Sequence, residues 1–244
     1  MSFDPTRRLA AVAVLASLAA CAAKPKYAGK PVVTKIALIP ASEPLTLTLQ
    51  NQNGVVQTLI PIAALGFHLD SKAKAKLFNE RMASQRLALA PKVTTIVVAA
   101  LRSAGYAVEV LDDLVRSADD PDDIDYGKIK TDAEAIVQVR VNEVGMFSSK
   151  LSPDYLPRVT VDGKLYIRNR DDSIYDETLY YGVDAKEGKT WAIVSDRRYV
   201  YPNFEDVMSK IAELRTVFEE ATVALAHLLA KQMQDTLATQ TQKA

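Results

Sequence analysis

The longest regular hydrophobic pattern in the chain lies near its C-terminal end. Phe204, Val207, Ile211, Leu214, Phe218, Ala221, Leu225 and Leu228 recur at alternating steps of three and four. That spacing lines one face of a helix. Asn203 stands where a cap belongs, Asp206 follows three residues on, and the first turn is acidic, all of which favour a helix start. The stripe ends near Gln232 and also suits a coiled coil, but a helix laid on its own sheet is the simpler reading. Two further helices are predicted upstream. Residues 72–89 have helical composition, with Leu77, Phe78 and Met82 on one side. Pro91 can open the next helix, in which Val93, Ile96, Val97, Ala100, Leu101 and Ala104 repeat at helical spacing until Gly105 supplies a stop.

Other stretches follow a period of two. "TKIALIP" is a short apolar run ended by Pro40, suited to a buried strand, and the folded domain is expected to begin at Thr34. "PLTLTLQ" alternates Leu45, Leu47 and Leu49 with polar residues, and "VVQTLIP" returns after Asn51-Gln52-Asn53-Gly54, so a hairpin is expected. "YAVEVL" reads as a strand after the glycine stop. "EAIVQVRVNEV" alternates Ile136 or Val137 with Val139 and Val141. In "PRVTVDGKLYIRN", Asp162-Gly163 could mark a tight turn. Yet Val159, Val161, Leu165 and Ile167 hold one parity through it, so one long strand with a glycine bulge or a close backbone approach is expected. The turn is placed at Arg170-Asp171-Asp172-Ser173, with "IYDETLYYG" running back and "TWAIVS" adding a short final strand. The resulting expectation is an α/β (α+β) domain: a mixed β-sheet with β-hairpins, packed against helices, with a long C-terminal helix.

Composition narrows the function classes. The chain has 244 residues, 48% apolar and 25% charged, ordinary for one domain. Thirty Lys and Arg balance thirty Asp and Glu, so the basic excess of a nucleic-acid binder is missing and no nucleic-acid partner is expected. No apolar run is long enough for a multi-span membrane protein.

The first residues carry an address. Arg7 and Arg8 form a positive segment, and Leu9 to Leu18 form an apolar stretch too short to span a bilayer. Leu18-Ala19-Ala20-Cys21 closes it with small residues and the only cysteine. This segment resembles the lipobox of bacterial lipoproteins. The resemblance implies that the Cys21 thiol takes a diacylglycerol, that residues 1–20 are removed as a signal peptide, and that acyl chains anchor the protein to a membrane. Each buried methylene contributes about 0.8 kcal/mol to such an anchor. An ordinary signal peptide cut after Ala20 is the alternative. Ala22, in place of an aspartate, implies the outer membrane by family analogy, with the domain facing the periplasm. Residues 21–33, "CAAKPKYAGKPVV", then read as the lipidated end and a flexible tether. Residues 34–237 read as one periplasmic domain, and the Gln- and Thr-rich residues 238–244 as a disordered tail.

Reaction chemistry is hard to find. The acidic loop "DDPDDIDYG" suggests calcium, but counting from Asp119 the sixth residue is Ile124 and the twelfth is Lys130, where a calcium loop needs glycine and glutamate. Only two histidines occur, His68 and His227, and no zinc, nucleophile-elbow or phosphate-loop pattern accompanies them. No catalytic residue, metal site or cofactor is expected, and the chain is read as a non-enzyme. The remaining concentration is aromatic. Seven of the ten tyrosines fall between Tyr155 and Tyr201, together with Trp191 and several arginines. Tyr, Trp and Arg are enriched at binding hot spots; equally, such residues can simply pave a sheet. Tyr166, Arg168, Tyr180 and Trp191 are the candidate partner-binding residues. In Tyr180-Tyr181, only one member can face the core.

Taken in order, the lipobox, tether, "KIALIP", a helix ending in "SAGYAVEVL", the hairpin "GKLYIRNRDDSIYDETLYY" and a capped terminal helix resemble a group of periplasmic lipoproteins. The group shares the α/β domain of the amino-terminal region of the Tol-system propeller protein, of curli-secretion channel lipoproteins and of lipoprotein activators of penicillin-binding proteins. The resemblance implies a protein-binding accessory of a transport or wall-synthesis machine, with envelope proteins as partners and self-association left open. A secretion-channel subunit and a periplasmic hydrolase are the alternatives. A channel needs membrane strands of about 9–11 residues with an uncharged lipid face, whereas the later hairpin carries Arg168, Asp176 and Glu177.

Overall fold

Three successive stretches of alternating apolar residues build the centre of the sheet. A computed structural model of the chain describes residues 32–51, 61–112, 114, 124, 128–148, 152, 154–168, 170, 172–182, 185–186 and 188–241, with side chains of the first helix described from Asp70 onward. The expected signal segment, Cys21, most of the expected tether, most of the acidic loop and residues 242–244 lie outside the described residues. The described elements are β1 (Lys35–Ser42), β2 (Thr48–Gln50), α1 (Pro61–Ala83), α2 (Leu89–Ser103), β3 (Ala107–Val110), β4 (Ala135–Ser148), β5 (Tyr155–Ile167), β6 (Ser173–Gly182), β7 (Ala192–Val194), α3 (Phe204–Ser209) and α4 (Ile211–Gln240). The expected mixed α/β class, with a long C-terminal helix, is what the structure holds.

The sheet runs β3-β1-β4-β5-β6-β7, with β2 pairing β4 beyond the end of β1. β4, β5 and β6 form an antiparallel meander, whereas β1 lies parallel to β3 and β4, and β7 parallel to β6. β5 passes straight through Asp162-Gly163, as its parity predicts, and its odd-numbered residues face the core. Val137 and not Ile136 takes the core face of β4.

Glycine at 163 serves a close approach. A Cβ there would lie 2.4 Å from Leu229 Cδ1 and 2.8 Å from Met233 Cε, so α4 rests directly on the backbone of β5. Leu214, Val217, Phe218, Ala221, Leu225, Leu229 and Met233 of α4 are all fully buried. The buried face passes from Leu225 to Leu229, not to the expected Leu228, which is only half-buried. A straight helix turns by about 20° per heptad relative to a strict seven-residue repeat, and that drift moves the stripe. The helix also breaks once, at Lys210, giving α3 and α4 in place of one element. Asn203 caps α3 as expected, its Oδ1 accepting the Asp206 N–H at 2.8 Å.

Several boundaries differ from the sequence expectation. α1 ends at Ala83 rather than near Leu89, and Leu77 is exposed while Phe78 and Met82, four residues apart, are buried. Leu77 lies about 100° around the helix from Phe78, which turns it to solvent. Strand β1 continues through Pro40, because the β1–β4 register slips between Ile39 and Ser42 and the missing N–H interrupts no ladder bond. The partner strand of the expected early hairpin falls largely outside the described residues, and β2 pairs parallel with β4 instead. Val33 is fully buried, so the core starts before Thr34. At the other end α4 runs to Gln240 and Thr241 is buried, its hydroxyl donating to the Leu237 carbonyl, so order extends past the expected boundary at Leu237.

The start of α2 depends on a residue far away. Glu43 Oε2 accepts the N–H groups of Leu89 and Ala90 at 2.7 and 2.8 Å. Pro91, next in line, has no N–H to satisfy. α2 is also tied to α4 by Glu219, which lies 2.6 Å from Lys92 Nζ and 3.0 Å from Arg215 Nε.

Gly163→Ala should lower stability by about 1–3 kcal/mol through overpacking under α4. Adding Leu229→Ala should cost less in that background than in the native one, because the shortened side chain makes room for the new methyl. Urea midpoints of the four proteins check this; strictly additive losses would show that the helix does not touch Gly163.

Candidate functional site

Most of the tyrosines that stand out in the sequence are buried, and three of them fasten α4. Tyr155, Tyr175, Tyr181, Tyr199 and Tyr201 are buried at 7% exposure or less. A buried phenol needs a hydrogen-bond partner, and α4 supplies three. Tyr201 donates to Glu213 Oε1 at 3.0 Å, Tyr199 to Glu220 Oε2 at 2.8 Å, and Tyr175 to Gln232 Oε1 at 2.8 Å. Burial raises all three phenols above their ordinary value, and the neighbouring carboxylates raise Tyr199 and Tyr201 further, Tyr199 to about 12.

The opposite face of the meander is polar and internally paired. Arg140 lies 3.6 Å from Asp162, which accepts a 2.7 Å bond from Thr178, and Lys164 lies 3.2 Å from Asp176. Arg158 pairs with Glu143 at 2.9 Å and lies over the rings of Phe147 and Tyr180, at 4.6 and 5.0 Å from their centroids. Tyr180 and Tyr181 divide as the strand period requires: Tyr181 enters the core and Tyr180 lies half-buried on the polar face.

The four candidate binding residues separate into two places. Tyr166 and Arg168 are at the far end of β5, where Tyr166 lies opposite Ile136. Arg168 donates its backbone N–H to Glu134 O at 2.8 Å and its guanidinium to Thr131 O, so it closes off the sheet end rather than reaching outward. Tyr180 pairs with Thr160, six residues back along β5 from Tyr166, which puts the two groups about 20 Å apart. Tyr180 and Trp191 do meet: the Tyr180 N–H donates to the Trp191 carbonyl at 2.9 Å.

Trp191 is 42% exposed and forms part of an open cleft of about 540 Å³. One wall is the first half of β6, Ser173 to Glu177; the other is α4, through Gln232, Asp235 and Thr236. Gln232 ties the walls together by accepting from Tyr175 and donating to Thr190 O at 2.7 Å. β7 covers β6 only from Tyr180 to Gly182, so beside Trp191 the sheet has an open edge among the described residues. A free edge presents unpaired backbone N–H and C=O groups to which another strand can add. Trp191 was legible as a candidate from its type; the edge was not, because it depends on how short β7 is.

A second, more apolar groove of about 330 Å³ lies between the β1–β2 connection and α1, where Leu45 is 99% exposed. Two of its polar groups are engaged in the fold, Glu43 holding α2 and Asn79 bonding the backbone of Leu47 at 2.7 and 2.8 Å, and Arg86 completes the polar lining. Among the described residues no cluster of His, Cys, Asp and Glu could hold a metal, and no helix is long and apolar enough to cross a membrane. His227 is exposed on α4; the His68 side chain lies outside the described residues.

No family model and no curated protein matches this chain. Among solved structures, the chain is similar to a DUF330 protein from Xanthomonas campestris, at 10% identity over 87% of this chain and 91% of that one, with a TM-score of 0.40. It is also similar to the PelC dodecamer from Paraburkholderia phytofirmans (11% identity, 82% and 94% covered, TM-score 0.32). A third is the lipoprotein GNA1162 from Neisseria meningitidis (14% identity, 74% and 96% covered, TM-score 0.28). Likenesses this distant carry no functional argument.

The phenol–carboxylate contacts give a pH dependence of definite sign. A phenol whose pKa is raised by folding contributes in full below the unfolded value of about 10 and loses that contribution as pH climbs toward the folded value. Stability should therefore be flat through neutral pH and fall above about pH 10. Tyr199→Phe should cost about 1 kcal/mol at pH 7 and make the alkaline fall shallower. Urea midpoints from pH 7 to 11.5 measure both; equal slopes in the two proteins would contradict the Tyr199–Glu220 contact.

Proposed function

We propose that this chain is a lipid-anchored envelope protein, held at the outer membrane through Cys21 and facing the periplasm. It binds other envelope proteins as an accessory of a transport or wall-synthesis machine and performs no catalysis itself. The observation that carries the binding half of this reading is the open β6 edge beside Trp191. Backbone groups that lack a strand neighbour, next to an exposed indole and a wall of polar side chains, combine directional bonding with apolar area. The anchoring half is supported by the resemblance of Leu18-Ala19-Ala20-Cys21 to a lipobox. The channel reading is less favoured, because the outer face of β4, β5 and β6 carries Arg140, Asp162, Lys164 and Asp176, a charge density unsuited to a lipid face.

A photo-crosslinking residue at position 191 of the full chain, expressed in an envelope-bearing bacterium, should yield discrete protein adducts. The same residue at the exposed position 95 of α2 should yield none. Cys21→Ala should move the protein out of the membrane fraction, abolish lipid labelling and lower the adduct yield. Equal adducts from positions 95 and 191 would contradict the binding surface. Unchanged lipid labelling of Cys21→Ala would contradict the anchor.

A further inference from the structure

We propose that the β6 edge binds its partner by strand addition, and that the partner supplies an extended, cationic segment. This inference rests on the protein-binding reading above and specifies its chemistry.

The direction of the edge groups follows from one hydrogen bond. Residues of a strand turn their backbone N–H and C=O alternately to one side and the other. The Tyr180 N–H points away from β5, to Trp191 O. Thr178 and Asp176, two and four residues earlier, therefore point the same way, past the end of β7 at Ala192. Among the described residues neither makes a backbone bond on that side. Two residues thus offer two donors and two acceptors in strand register.

The side chains select the occupant. Among the described residues three carboxylates line the cleft, Asp176, Glu177 and Asp235, and no Lys, Arg or His does. Asp176 and Asp235 have cationic neighbours outside the cleft, Lys164 at 3.2 Å and Lys231 at 2.6 Å. Glu177 is exposed and has no cationic partner among the described residues. Pairing this edge with a second copy of itself would set Asp176 and Glu177 against the same two acids, and like charges across a strand pair destabilise it. A basic strand would instead place ammonium or guanidinium groups near these carboxylates. The exposed Trp191 ring can receive their aliphatic stems or their charge. Acids lie on both sides of the edge, Asp176 on the polar face and Glu177 and Asp235 toward α4, so the strand can be read on both faces.

Trp191 is the only tryptophan in the chain, so intrinsic fluorescence reports this cleft alone. The test titrates the full chain, purified in detergent, with the capped hexapeptide Lys-Val-Lys-Val-Lys-Val. A saturable change in Trp191 emission is expected. The Glu-for-Lys hexapeptide should bind at least tenfold more weakly, as should the Lys peptide when added to Glu177→Lys protein whose melting temperature is unchanged. N-methylation of alternate peptide amides separates strand addition from loose charge attraction. One of the two alternating sets should abolish binding and the other should leave it nearly intact. Equal binding of both sets, or of the acidic peptide, overturns the proposal, as does no response at millimolar peptide. Self-association in sedimentation, accompanied by protection of Trp191 from iodide quenching, also overturns it, because the edge then belongs to a second copy. If position 191 still crosslinks to proteins in cells while the peptide fails, the protein-binding reading stands and strand addition falls.

Discussion

Leu229 and Met233 rest on the bare backbone of Gly163, and this contact sets the height at which α4 crosses the sheet. With any side chain at 163 the helix would be held off by the width of a methyl group or more. The consequences extend along the whole of α4. At this height the phenols of Tyr201, Tyr199 and Tyr175 reach Glu213, Glu220 and Gln232. Leu214, Phe218 and Leu225 fill the layer between helix and strands without exposure. Glu219 comes within reach of Lys92 on α2, so the two helices share a charged contact at the rim of the apolar layer.

The shortness of β7 leaves one part of the described sheet open. β3 covers one side of β1, and β7 covers the upper part of β6, but nothing described lies in strand register beside Asp176 and Thr178. Open edges invite pairing, and proteins usually blunt them with charge. Here the blunting groups are acidic, and they exclude a like edge while leaving a basic strand acceptable. On the proposed reading, protection against self-assembly and selection of a partner are one electrostatic arrangement.

Much of this architecture could be read from the residues, because the signals were local. Parity through Asp162-Gly163 gave β5 as one strand, Asn203 and Asp206 gave the α3 start, and Gly105, at φ +89°, gave the end of α2. What escaped was set by distant partners. Glu43 caps α2 from 46 residues away, which no local pattern discloses. Pro40 could remain in a strand only because the β1–β4 register slips there. The aromatic segment singled out Trp191, but it did not separate tyrosines that fasten α4 from the one tryptophan that faces solvent. That distinction depends on where the helix carboxylates fall. Tyr166 and Arg168 have the same composition as a binding patch, yet topology sends them to the opposite end of β5.

The central claim is that β6 is open beside Trp191 while the strand itself is part of a rigid sheet. Amide hydrogen exchange, resolved by residue in the unliganded full chain, tests it most directly. The account predicts protected amides at Tyr180, whose bond to Trp191 O is made, and throughout β5, with Asp176 and Thr178 exchanging orders of magnitude faster. Protection at Asp176 and Thr178 equal to that at Tyr180 would mean that a strand or loop already occupies the edge, and the account would fail.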